Sequence, residues 1–169
     1  MPMDMEDSDL EARQFVQCGN SDDAVPFYRL YNPQAVDHFY TTDQQEANNA
    51  VARFGYNDEG ISSFIFPSQE SGTTAFYRLY SPSARDHFYT TSVSEANNAA
   101  QNLGYNYEGI AGYIYPNRGC RGTVPFYRLY SPGGMDHFYT TSASERDNAA
   151  NNGYNYEGIA GYVYPYYTY

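Results

Sequence analysis

The stretch FYRLYNPQAVDHFYTT at residues 27–42 returns as FYRLYSPSARDHFYTT at 76–91 and as FYRLYSPGGMDHFYTT at 126–141. A closing segment keeps the same step: GYNDEGISSFIFP from Gly55, GYNYEGIAGYIYP from Gly104 and GYNYEGIAGYVYP from Gly153. The period is 49 or 50 residues, so three copies, 25–73, 74–123 and 124–165, fill most of the 169-residue chain. A unit of this length cannot bury its own apolar face, so the three must share one core. Residues 1–24 form an acidic extension, expected to dock loosely with Phe15, Val16 and Cys18 against the body, and 166–169 form a short tail.

Within a copy, FYRLY is an aromatic and aliphatic run ended by Asn-Pro or Ser-Pro, which reads as a strand stopped by a turn. DHFYTT reads as a second strand. Asp43, Ser92 or Ser142, followed three places later by Glu46, Glu95 or Glu145, is a capping-box signature for a helix of about ten residues. Gly55, Gly104 and Gly153 mark its end, where a left-handed residue is needed. The closing segment predicts one or two strands broken at Gly60, Gly109 or Gly158. The expected fold is mainly β with three short helices, closed with pseudo-threefold symmetry. A β-trefoil of twelve strands is favoured, with a three-bladed propeller-like ring as the alternative, because a three-bladed ring leaves little room at its centre.

Composition removes several function classes. Hydrophobic residues make up 41% of the chain and 31 residues are aromatic, 21 of them Tyr, so the chain is apolar enough to fold. Twenty acids against nine Arg leave a net charge of −11, six of those charges in the extension. Such a surface repels nucleic acid and anionic lipid. No run is long and apolar enough for a membrane span, and the opening MPMDMEDSDLEARQFV has neither the basic start nor the apolar centre of a signal peptide. The expected location is therefore cytoplasmic, and there Cys18 and Cys120 are expected to stay thiols, although one bridge between them is available.

Few polar residues occur in every copy, and they are the candidates for a repeated site. They are Asp37, His38 and Tyr40, flanked by Arg29 and Glu59; Asp86, His87 and Tyr89 with Arg78 and Glu108; and Asp136, His137 and Tyr139 with Arg128 and Glu157. Strand alternation puts Asp37 and His38 on opposite faces, so the two are not expected to grip the same atom. A framework role competes: Arg29 pairing with Asp37 across the hairpin, His38 bonding a carbonyl, Glu46 capping a helix. Catalysis needs unlike groups gathered once, whereas these recur three times in one order, which suits three equivalent binding sites. A metal at three imidazoles on the axis is set aside, because axial side chains in such barrels are usually apolar, and no cofactor motif is present. Rings that stack on an apolar face, beside planar hydrogen-bonding groups, are what a sugar requires.

The words YRLY, HFYTT and GYNYEGIAGYVYP, with a Glu-led helix between, resemble a repeat of fungal and bacterial proteins catalogued as a domain of unknown function, over residues 25–165. That resemblance implies an accessory, surface- or glycan-binding task, since bacterial members are often attached to secreted hydrolases. The three-copy form is similar in plan to small fungal fruiting-body lectins that act in defence. The expected function is a non-enzymatic, multivalent glycan binder with no cofactor. The alternatives are an accessory domain of a hydrolase, or a protein-binding module such as a protease inhibitor that uses the unique loop Asn117–Gly122. Copy 1 departs at Asp58, where the others have Tyr107 and Tyr156, and at Ser62 and Ser63 in place of Ala and Gly, so its closing segment is the one expected to be impaired.

Overall fold

A computed structural model describes residues 16–166; Phe15 with the rest of the extension before it, and tail residues 167–169, lie outside the described residues. Copy 1 runs β1 (Val25–Asn32), β2 (Asp37–Thr41), α1 (Gln44–Arg53) and β3 (Asn57–Ile65). Copy 2 follows with β4 (Thr74–Ser81), β5 (Asp86–Thr90), α2 (Val93–Asn102) and β6 (Asn106–Ile114). Copy 3 has β7 (Val124–Ser131), β8 (Asp136–Thr140), α3 (Ala143–Ala150) and β9 (Asn155–Pro165). The protein is mainly β with three short helices.

In every copy the FYRLY strand lies in the middle of an antiparallel three-stranded sheet, between the DHFYT strand and the closing strand. Ser63 and Phe64 pair with Pro165 and Tyr164, joining copies 1 and 3 into a six-stranded sheet ordered β2-β1-β3-β9-β7-β8. Copy 2 keeps its own sheet, β5-β4-β6, and touches the other two through the bridges Phe66–Tyr113 and Tyr115–Tyr162. Nine strands stand among the described residues, where a trefoil calls for twelve. The closing segment supplies one strand per copy because Gly60, Gly109 and Gly158, at φ of 89°, 107° and 110°, are absorbed beside irregularities in the pairing instead of breaking the strand.

The helices follow the local signals, with one change. Asp43 Oδ1 accepts from the N–H groups of Gln45 and Glu46, and Ser92 and Ser142 Oγ accept from those of Glu95 and Glu145. The Glu does not complete a capping box. The N-cap N–H donates to Thr41, Thr90 or Thr140 Oγ1 at 3.0–3.1 Å, which frees the Glu to reach another copy. Gly55, Gly104 and Gly153 follow the helices at positive φ, as expected, and α3 is the shortest helix. Each helix lays two small residues, or one in copy 3, on its own sheet: Ala47 and Ala50 pack on Leu30 and Phe39.

Nine buried side chains meet at the centre, among them Phe27, Phe76 and Phe126 with Tyr40, Tyr89 and Tyr139, all without exposed surface. The DHFYT strands pair on one edge only, so their other edges bring bare N–H and C=O groups into this core. The tyrosines resolve the conflict. Tyr89 Oη accepts from Tyr40 N–H at 2.8 Å and donates to Tyr40 O at 2.7 Å. Tyr139 does the same for Tyr89, and Tyr40 for Tyr139. The rings meet edge to face, with centroids 5.5 Å apart. One aromatic layer thus fills the centre and satisfies three buried strand edges.

Cys18 and Cys120 form a disulfide, which corrects the expectation of two thiols. The bridge ties the end of the extension, including a 3₁₀ turn at Ser21–Asp23, to the body. Gly19 N–H donates to Tyr115 Oη at 2.9 Å. Gly72, at φ 80°, lets this segment pass, because a Cβ there would lie 2.0 Å from Gln17 O. No helix among the described residues is long and apolar enough to cross a membrane.

Candidate functional site

The junction between copies 1 and 2 illustrates the chemistry. Asp37 has no exposed surface. Its Oδ1 accepts from His87 N–H at 2.8 Å and its Oδ2 from His87 Nδ1 at 2.6 Å, and Tyr56 Oη–H donates to the same Oδ2 at 2.5 Å. A carboxylate can only accept here, so the proton on that side of the imidazole sits on Nδ1. The ring of His87 lies between Phe39 and Tyr80, with centroids 4.7 and 4.5 Å away, and turns Nε2 toward Glu108 Oε1 at 3.4 Å. Arg78 donates from Nη1 and Nη2 to both oxygens of Glu46 and from Nε to Glu108, and its guanidinium carbon stands 5.2 Å from the Phe39 ring centroid.

The other junctions repeat this. Asp86 is bonded by His137 and Tyr105, and Asp136 by His38 and Tyr154. Arg128 forks onto Glu95 and bonds Glu157, while Arg29 forks onto Glu145 and bonds Glu59. His137 and His38 face Glu157 and Glu59 at 3.6 Å. In every copy Arg, His and the closing Glu converge. The Asp and Tyr of the same copy do not join them. Asp37, Asp86 and Asp136 gather at the centre, each bonded to the next copy, and Tyr40, Tyr89 and Tyr139 lie in the aromatic layer. Of the residues singled out in the sequence, Arg29, His38 and Glu59 and their counterparts keep some exposed surface, whereas the Asp and Tyr do not. The reason lies in strand burial: both faces of the DHFYT strands are covered, one by a helix and one by the other copies, so alternation does not separate core from solvent.

Arg29 does not pair with Asp37 as expected across the hairpin; it faces Tyr40 in the register and reaches Glu145. The central carboxylates lie within 4.8 Å of one another, but each is taken up by three protein donors. The imidazoles, considered as an axial set in the sequence, each bond one central Asp through Nδ1 and face a closing Glu through Nε2 instead. Among the described residues every buried side-chain nitrogen and oxygen has a partner.

Electrostatics follow the pairing. Burial pulls the Arg78 guanidinium down, but Glu46, Tyr89 and Glu108 outweigh it and hold the group above its ordinary value. Burial pushes Glu46 up, but the bonds from Arg78 and Thr41 carry it below the usual carboxylate range. Burial also opposes the charge on His87, yet Asp37 and Glu108 raise it to about 9. A histidine so raised stabilises the fold fully below its unfolded value near 6.5 and loses that contribution as pH climbs through about 9. Urea unfolding at pH 6.5 and pH 9 should therefore differ by on the order of 2–3 kcal/mol, and His87→Gln should flatten the slope. An unchanged slope in that variant would assign the loss elsewhere.

Outside these bonds two open cavities lie at the junctions. One, of about 640 Å³, is lined by Asn49, Phe39 and Tyr56 of copy 1 and by Tyr80, Arg85 and His87 of copy 2. The other, of about 500 Å³, is lined by Asn98, Phe88 and Tyr105 of copy 2 and by Arg128, Tyr130, Met135, His137 and Glu157 of copy 3. Sequence reasoning missed Tyr56, Tyr80, Asn49 and their counterparts, although each stands in all three copies. It also missed Val36, Arg85 and Met135, which share φ of 55–56° directly before the buried Asp.

The sequence profile described as Domain of unknown function (DUF5648) matches residues 24–164. The chain belongs to this family. Curated proteins and solved structures give no match. The DUF5648 region begins just before β1 and ends inside β9, so it takes in both cavities and every Asp–His pair, while Cys18 lies outside it.

Proposed function

We propose that this DUF5648 chain is a non-enzymatic, multivalent carbohydrate-binding protein whose sites are the junctions between copies. The observation that carries the reading is the recurrence of one cavity wall at two junctions: Tyr56, Tyr80, Asn49 and His87 at the first, Tyr105, Tyr130, Asn98 and His137 at the second. Tyrosine rings offer an apolar face, and asparagine and imidazole are planar hydrogen-bonding groups suited to hydroxyls. Volumes of 500–640 Å³ fall within the range of small-ligand sites. The acids and bases near the cavities are committed to one another, Glu46 to Arg78 and Asp37 to His87, which favours binding over catalysis.

The finer architecture belongs to the same reading: the three-stranded unit of each copy as one blade of a closed ring with pseudo-threefold symmetry, preferred over a trefoil. The cyclic hydroxyl bonds of Tyr40, Tyr89 and Tyr139 support it, and those rings fill the narrow centre that such a closure demands. Equivalent sites on one rigid body make weak individual contacts additive, with avidity gains on the order of 10² or more. The bridge between Cys18 and Cys120 weighs toward an oxidising compartment and against the cytoplasmic placement.

Agglutination of erythrocytes and binding to a broad glycan array test this reading. Tyr80→Ala and Tyr130→Ala should lower the array signal about tenfold with the fold retained, as each removes a stacking ring worth roughly 1 kcal/mol or more. A folded protein that ignores every glycan overturns the proposal. A second reading has its own support: the segment 116–122 is exposed apart from Cys120 and held by the disulfide, and Arg118 and Arg121 lie on it, as on the inhibitory loop of a protease inhibitor. Inhibition of a trypsin-like protease, lost in Arg118→Ala or Arg121→Ala, would favour that reading.

A further inference from the structure

At the positions that line both cavities, the walls agree in the phenylalanine, glutamate, asparagine, two tyrosines and histidine and differ at three: Asn32 or Ser81, Phe54 or Leu103, and the turn position before the buried Asp. Arg85 occupies that turn position in the first cavity and Met135 in the second, each in the left-handed region, at φ 56° and 55°. Residues other than glycine rarely adopt that conformation, and for the β-branched Val36, third of the set at φ 56°, it is a genuine outlier. The strain persists in all three copies because the following Asp is locked to the next copy by two bonds from its His. At the third junction Val36 packs against Gly134, where a Cβ would come within 2.9 Å of it. The turn thus holds one variable side chain at each junction, and of the positions common to both cavities it is the only one where a charged residue is exchanged for an apolar one.

Of the cationic groups that line the first cavity, Arg85 is the one without a carboxylate partner among the described residues. Glu46 is forked by Arg78, Asp43 caps α1 through the N–H groups of Gln45 and Glu46, and His87 sits between Asp37 and Glu108. Arg85 is exposed and forms no salt bridge among the described residues. A guanidinium in that position presents a planar donor fork matched to a carboxylate, whereas the methionine of the second cavity offers only a polarisable apolar contact. We infer that Arg85 is a specificity-determining residue: the junction of copies 1 and 2 takes a carboxylate-bearing sugar, of the uronic or sialic acid class, and that of copies 2 and 3 takes a neutral one. This inference rests on the glycan-binding reading and assigns unlike ligands to sites of like construction.

The test uses the full chain on an array carrying acidic and neutral glycans, followed by titration calorimetry with the best of each. Arg85→Met copies the side chain that copy 3 already holds at the same φ, so the variant is expected to fold. It should weaken acidic glycans about tenfold and leave neutral ones unchanged. Met135→Arg should add a second acidic site, and binding to both should weaken as salt rises. Acidic glycans bound equally by wild type and Arg85→Met, or not bound while neutral ones are, overturn the inference and leave the glycan-binding reading standing. A folded protein that binds no glycan of either kind overturns both.

Discussion

Replacing Asp86 with alanine should cost roughly 3–5 kcal/mol and lower the melting temperature by about 10 °C, with the loss read as unfolding and not as a missing ligand contact. Asp86 has no exposed surface, and three donors converge on it: His137 N–H, His137 Nδ1 and Tyr105 Oη. The truncation leaves all three facing a void, one of them the imidazole that stacks on Phe88 and lines the second cavity. An unsatisfied buried donor costs about 1–3 kcal/mol, and a domain holds only about 5–15 kcal/mol in total. Asp86→Asn should recover part of the loss, because its carbonyl oxygen still accepts one of the bonds. Differential scanning calorimetry decides the matter: an alanine variant that melts with the wild type would mean these bonds contribute nothing net.

Reduction of the disulfide, or Cys120→Ser, should remove on the order of 3–5 kcal/mol. Cys18 and Cys120 are 102 residues apart, so the bridge closes a loop through copies 1 and 2, and the constraint on the unfolded chain grows with loop length. Cys120 also lies buried with Phe66 and Tyr115 in a cluster under the aromatic core, and Gly19 N–H bonds Tyr115 Oη close by. Opening the bridge releases the segment that covers this cluster. A melting temperature lowered by roughly 10 °C in reductant is the expected result. Two titratable thiols in the native protein, or a melt indifferent to reductant, would contradict it.

The elements were legible in the sequence because their causes lie among neighbours in the chain. FYRLY before a Pro, the Asp or Ser ahead of each helix, and Gly55, Gly104 and Gly153 after it act through bonds spanning a few residues. The convergence of Arg29, His38 and Glu59 was also within reach, since all three recur in step. Partner choice was not. His87 could bond Asp37, Asp86 or Asp136 with the same chemistry, and Arg29 could reach Asp37, Glu59 or a helical Glu in any copy. Repetition makes such alternatives equal in the sequence, and only the packing of one copy on the next separates them.

The sequence by itself determined three equal units, their strands and helices, and the small set of polar residues that each carries, because propensity, capping and turn chemistry are local. Tertiary structure alone decided that Asp37 and Tyr40 are spent inside, that Glu46 serves Arg78 of the next copy, and that Tyr56, Tyr80 and Arg85 line an open cavity. Burial and pairing are properties of the junctions, and a junction exists only once two copies have met.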